Sequence, residues 1–142
     1  MRDRRLVLGP LLIATAMAVG CCALTPGTKT YSPLGPVTRV EVHVNGRTVQ
    51  VIDDPVRVAR IVEYADAHRQ DWGGTSDMFG VPVPRVSADF YEGDKFRGHF
   101  GVGPGYFETQ REGDFASRVA SKREEREFLE LLDMGNLDLP NP

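Results

Sequence analysis

Two hydrophobic patterns divide the chain. Over residues 6–20 apolar side chains run almost without a break, whereas after Pro36 they return at intervals of two, or of three and four. Intervals of two mark a strand with one buried face, and intervals of three and four mark an amphipathic helix. Residues 37–44 and 47–52 alternate valine with polar side chains and are joined by Asn45-Gly46. Asn-Gly favours a two-residue hairpin turn because both central residues take positive φ. Regular pairing across that turn sets Val42 opposite Val49 and Val40 opposite Val51 on one face. Glu41 and Gln50, with His43 and Thr48, then fall on the other.

Asp54 and Pro55 mark a helix start, the first as N-cap and the second at the position where a missing N–H does no harm. Val58, Ile61, Val62, Ala65 and Trp72 recur at helical spacing, Arg57, Arg60, Glu63, Asp66 and Arg69 look outward, and Gly73-Gly74 ends the helix. A loop over 75–84 follows. Strands are expected at 86–91, 95–102, 106–111 and 115–120. The Glu-Gly-Asp turns at 92–94 and 112–114 are read as three-residue loops, because only an odd length puts Val86, Ala88 and Phe90 on the side of Phe96, Gly98 and Phe100. The same parity sets Phe107 against Val119. Ser121 and Glu124 form a capping box ahead of a stripe of Phe128, Leu131 and Leu132. The order ββαββββα predicts an α+β fold, a two-layer domain over 37–139 with an antiparallel sheet and two helices on one face, followed by a tail at 140–142.

The leader reads differently. Arg2, Arg4 and Arg5 precede an apolar run of 15 residues, shorter than the roughly 18 to 20 that span a bilayer, which fits a secretory signal peptide. The tetrapeptide Ala18-Val19-Gly20-Cys21 resembles the lipobox of bacterial lipoproteins, with Ala18 where leucine is usual. The resemblance covers the export signal alone. It implies removal of residues 1–20, lipidation of Cys21 and attachment to a membrane through the N-terminal lipid. The expected location is the bacterial cell envelope, on the periplasmic side of an outer membrane or otherwise on the outer face of the plasma membrane. Cys22 stands where an inner-membrane retention signal would have Asp, which favours the outer membrane where one exists. The rival is plain secretion with cleavage after Ala18. Residues 21–36 are then the lipidated cysteine and a flexible tether with a root-mean-square span of about 20 Å.

Charge and chemistry narrow the function classes. Without the leader the net charge moves from −3 to about −5, lacking the basic footprint of a nucleic-acid binder. The cysteines are Cys21 and Cys22 alone, so no disulfide framework and no thiol chemistry are expected in the domain. His43, His68 and His99 have no metal-ligand spacing and are expected as solvated surface residues, with no metal. Gly98, Gly101, Gly103 and Gly105 lack the helix that a phosphate-cradling loop needs, so no cofactor is implied. Ser76, Ser87, Ser117 and Ser121 lie in no nucleophile elbow, and no catalytic residue is assigned. Asp71 and Asp77 bracket a glycine-rich loop and carry only a weak calcium signal. Trp72, Met78 and Phe79 are the candidate partner-binding residues, since large apolar groups on a Gly- and Pro-rich loop mark partner sites. The alternative is that Met78 and Phe79 fold down to close the end of the sheet. The expectation is a non-catalytic, membrane-anchored envelope domain that binds a protein or envelope polymer. The alternatives are an inhibitor or immunity protein against a toxin or cell-wall hydrolase, and a small hydrolase using His43 or His99 with a carboxylate.

Overall fold

The computed structural model describes residues 28–74 and 83–137. Cys21, Met78 and Phe79, and the signal peptide, lie outside the described residues. The chain runs β1 (Arg39–Val44), β2 (Arg47–Ile52), α1 (Pro55–Ala67), β3 (Gly73–Gly74), β4 (Val86–Glu92), β5 (Lys95–Gly103), β6 (Tyr106–Arg111), β7 (Asp114–Val119) and α2 (Lys122–Leu131). This is an α+β fold. Its antiparallel sheet has the order β2-β1-β4-β5-β6-β7-β3, six full strands plus the two-residue β3. Tyr64 of α1 stacks on Phe128 of α2 at 5.6 Å, and both rings meet Phe100 and Phe107 of the sheet. The core is therefore built from both helices and one face of the strands.

The hairpin of β1 and β2 forms about Asn45 and Gly46, both at positive φ, but its register departs from the regular one. Val42 pairs with Gln50 and His43 with Thr48, so Val49 is a bulge, while Glu41 meets Val51 and Val40 meets Ile52. Val49 and Val51 end up exposed and Ile52 takes the core position. One extra residue moves every later side chain to the other face.

The other two hairpins shift for related reasons. Glu92 pairs with Lys95, leaving a two-residue turn, and the odd residue sits inside β5, since Tyr91 meets Phe96 while Phe90 meets Gly98. Val86, Ala88 and Phe90 thus share a face with Gly98 and Phe100 as expected, but Phe96 is half-exposed against Tyr91. In the last hairpin Arg111 pairs with Asp114 and Phe107 with Arg118, not Val119. Glu112 and Gly113 both take positive φ there, the geometry of a two-residue turn whose twist matches the strands. Ala116 is consequently the buried residue of β7, and Phe115 and Val119 face solvent.

Helix α1 starts as expected, the Asp54 carboxylate accepting from the Arg57 N–H at 2.9 Å. It stops at Ala67, five residues short of Trp72, because tertiary donors take its last carbonyls. The Trp72 indole donates to the His68 carbonyl at 2.7 Å, the Tyr31 N–H to Arg69, and the buried Arg111 guanidinium to Ala65. Gly73-Gly74 is then the short edge strand beside β7, not a helix stop. In α2 the capping box of Ser121 and Glu124 is present, and the buried side chains are Glu125, Phe128 and Leu129, with Leu132 just beyond.

The tether expected over residues 21–36 is corrected for its second half. Tyr31 and Leu34 are core residues, and Lys29 pairs through its backbone with Trp72. Arg111 donates to the Ser32 carbonyl at 3.0 Å and to Asp66 at 2.8 Å, and Arg97 donates to the Leu34 carbonyl at 3.1 Å. Residues 29–36 are thus a packed strap, and Asp66, expected on the solvent side, is the carboxylate that neutralises buried Arg111.

Candidate functional site

On the sheet face turned away from the core, the four central strands align their outward residues in rows. Glu41, Asp89, His99 and Gln110 form one row across β1, β4, β5 and β6, and His43, Ser87, Gly101 and Glu108 the next. Strand alternation puts them there, because Val40, Val42, Ala88, Phe90, Phe100 and Phe107 occupy the opposite face.

Asp89 is the centre of this array. One carboxylate oxygen lies 2.6 Å from His99 Nδ1, and the other lies 3.2 Å from His43 Nε2. His43 Nδ1 is 3.1 Å from the Thr48 hydroxyl on β2. His99 Nε2 points toward Glu108, whose carboxylate is 3.7 Å away. With Nδ1–H donating to Asp89, a neutral His99 ring presents Nε2 as an acceptor. Glu108 is 5% exposed and forms no hydrogen bond with the described residues. Burial pushes its carboxyl up from the ordinary range, and His99 partly opposes the shift. Arg39, over the Tyr91 ring and paired with Glu41, closes one end of the cluster.

The glycines of β5 explain how the face is covered. A Cβ at Gly101 would lie 2.6 Å from the Pro84 ring and 3.1 Å from His99 Nε2, and one at Gly103 would lie 2.2 Å from the Tyr106 ring. The Tyr106 hydroxyl donates to the Val83 carbonyl at 2.8 Å. Residues 83–84 thus fold back over the face beside His99. The glycine run serves close packing in a sheet, as read from its lack of a following helix.

None of the three histidines is simply solvated, and His43 and His99 are brought together, which corrects the expectation. His43 and His99 share Asp89 and are half-buried. His68 stays apart, stacked on Tyr64 at 4.2 Å with Nε2 3.7 Å from Glu124. Asp89 and Glu108 were not singled out from sequence. Their signal was register: once β4 and β5 pair through their turn, Asp89 faces His99 directly.

Trp72 is corrected as a partner-binding candidate. It is 1% exposed, edge-on to Tyr31 and Phe100, with its indole N–H satisfied by His68. It is a core residue. Among the described residues no three His, Cys, Asp or Glu side chains are arranged to hold a metal ion. No described helix is long and apolar enough to cross a membrane. Compared with protein families, with curated proteins and with solved structures, the chain matches none.

The array offers two kinds of chemistry. A carboxylate-held imidazole with a free Nε2 has the orientation of a general base. The same fixed acceptors and donors, set on rigid strands, also suit recognition of a polar ligand.

Proposed function

We propose that this is a lipid-anchored cell-envelope protein whose domain binds a protein or polymer of the envelope through the sheet face bearing His43, Asp89, His99 and Glu108. Anchoring is supported by the basic head, the apolar run and Ala18-Val19-Gly20-Cys21. The fold takes the two-layer form, both helices covering one face so that the other remains for a ligand. The binding reading rests on one observation, the bridging of His43 and His99 by Asp89 on the face away from the core. Polar groups held this firmly on strands lose little entropy when they engage a ligand. Met78 and Phe79 remain proposed contributors. The site of action is the envelope, in the outer membrane where the source has one.

Cross-linking capture of the membrane-anchored protein from its own envelope tests this. A specific partner is expected with the native chain and is expected to be lost with His43→Gln plus His99→Gln. Capture unchanged by those substitutions and lost with Met78→Ser plus Phe79→Ser would move the binding face to the loop. For the anchor, Cys21→Ser is expected to release the protein from the membrane fraction with altered mobility. Retention there at unchanged mobility would defeat the lipoprotein reading.

The contact of 2.6 Å between Asp89 and His99 also favours a second reading, a small envelope hydrolase with His99 as general base. Turnover of an envelope substrate abolished by His99→Gln and sharply reduced by Asp89→Asn is its expected signature.

A further inference from the structure

We propose that the ligand of the outward sheet face is an uncharged polysaccharide of N-acetylated amino sugars, and that Phe96 and Gln110 hold one of its rings where β5 parts from β6. Such a ligand is one form of the envelope polymer proposed above, and its assignment rests on that reading. Three features carry it: a cleft at one end of the face, polar side chains there with unused hydrogen-bonding capacity, and the acidic charge around them.

Pairing between β5 and β6 ends at His99 and Gln110, although β5 begins at Lys95 and β6 runs on to Arg111. Tyr91 meets Phe96 while Phe90 meets Gly98, so Arg97 is the extra residue of the bulge, and it donates to the Leu34 carbonyl of the strap. Arg111 turns inward to Asp66 and the Ser32 carbonyl. The two strands therefore part, and a cleft of about 420 Å³ opens between them, its walls including Ser32, Leu34, Phe96, Arg97, Gln110 and Glu112. That volume falls within the roughly 300–1,000 Å³ of small-molecule sites. Phe96, 42% exposed, forms one wall, and Phe115, 41% exposed, stands beside Gln110 on β7.

The Gln110 side chain, between the cleft and Phe115, makes no hydrogen bond with the described residues. Nor do the side chains of Ser87, Glu108 and Ser117, which share the adjoining row on the same face. A carboxamide offers a donor and an acceptor side by side, which matches the N–H and C=O of an acetamido group. The negative face of an aromatic ring attracts the polarised C–H groups of a sugar. Glu41, Asp89 and Glu112 make the face acidic, while Arg39 and Arg97 beside them are engaged by Glu41 and the Leu34 carbonyl. Such a face repels an anionic polymer and leaves an uncharged one free to approach. A protein partner fits less well, because protein interfaces have a centre depleted of charge and a polar rim. Here His43, Asp89, His99 and Glu108 hold the centre, and Val51, Phe96 and Phe115 are exposed at the margins.

The test titrates the full-length protein, in a detergent without a sugar headgroup, with chitohexaose, an uncharged oligomer of β-linked N-acetylglucosamine. Saturable binding is expected by calorimetry. Cellohexaose, the same chain without acetamido groups, is expected to bind about tenfold more weakly, and polygalacturonate, a carboxylated glycan, not at all. Gln110→Ala and Phe96→Ala are each expected to weaken chitohexaose about tenfold, the former with an unchanged urea midpoint. Phe96→Tyr, which keeps the ring, is expected to bind as the native protein does. Chitohexaose binding that Gln110→Ala and Phe96→Ala leave unchanged overturns the site. Equal binding of cellohexaose overturns the acetamido assignment, and binding of polygalacturonate overturns the choice of an uncharged polymer. Absence of chitohexaose binding overturns the ligand, and the face itself is then judged by the envelope capture with His43→Gln plus His99→Gln. A protein captured by the native chain and lost by that variant would keep the face and make its partner a protein.

Discussion

Glu108 and Arg111 lie three residues apart on β6 and face opposite sides of the sheet, yet each is a buried charge whose neighbours decide its worth. Burial raises the Glu108 carboxyl above its ordinary range, so the folded state holds its proton more tightly than the unfolded chain does. The associated stability is present below the ordinary carboxylate range and is lost as pH rises through the raised value. Glu108→Gln should therefore be more stable than the native chain at neutral pH and should lose that slope, which urea unfolding from acid to neutral pH would show. An unchanged slope would mean that Glu108 ionises freely in the fold. Arg111 is 4% exposed and is matched by Asp66 and the Ser32 and Ala65 carbonyls. Arg111→Ala strands Asp66 and two carbonyls, and a loss of about 3 kcal/mol is expected in the same assay. Neither residue stood out in sequence. Each is an ordinary polar member of an alternating strand, and its burial comes from segments distant along the chain.

At the level of elements, local chemistry set the beginnings and distant contacts set the ends. The N-caps Asp54 and Ser121 act within three residues of themselves, so both helix starts were legible. The Glu124 carboxyl is held below its usual range first by the Ser121 backbone N–H, and its contribution is lost as pH falls through that lowered value. Ser121→Ala should cost about 1 kcal/mol, read as a lower urea midpoint with an unchanged slope. The end of α1 was not legible, because the donors that satisfy its last carbonyls come from Tyr31, Trp72 and Arg111. Hairpin registers failed for a related reason. The turn residues identify the turns, but whether an odd residue sits in a turn or in a bulge depends on what packs beneath it. At Phe90 it sits in the strand, where Gly98 lies under the Leu34 side chain.

For the molecule as a whole, the strap matters most. Pro- and Gly-rich composition reads as a tether, but Tyr31 and Leu34 are 5% and 3% exposed and close one end of the core. Leu34→Ala should lose about 2 to 5 kcal/mol, the usual cost of emptying a leucine site. Replacement of a tether residue would have cost nothing measurable. Limited proteolysis should then cut near residues 29–36 in the variant and not in the native protein. A native chain cleaved there readily would restore the tether.

The sequence by itself determined what depends on neighbours along the chain: the Asn45-Gly46 turn, both helix caps and an α+β alternation of strands and helices. Tertiary structure alone decided which strand positions face inward, where α1 stops, that Tyr31 and Leu34 belong to the core, and that His43 and His99 meet at Asp89. These outcomes hang on contacts between residues tens of positions apart. Such contacts leave no local periodicity, because the free energy that selects them is gained only when the separate elements pack together.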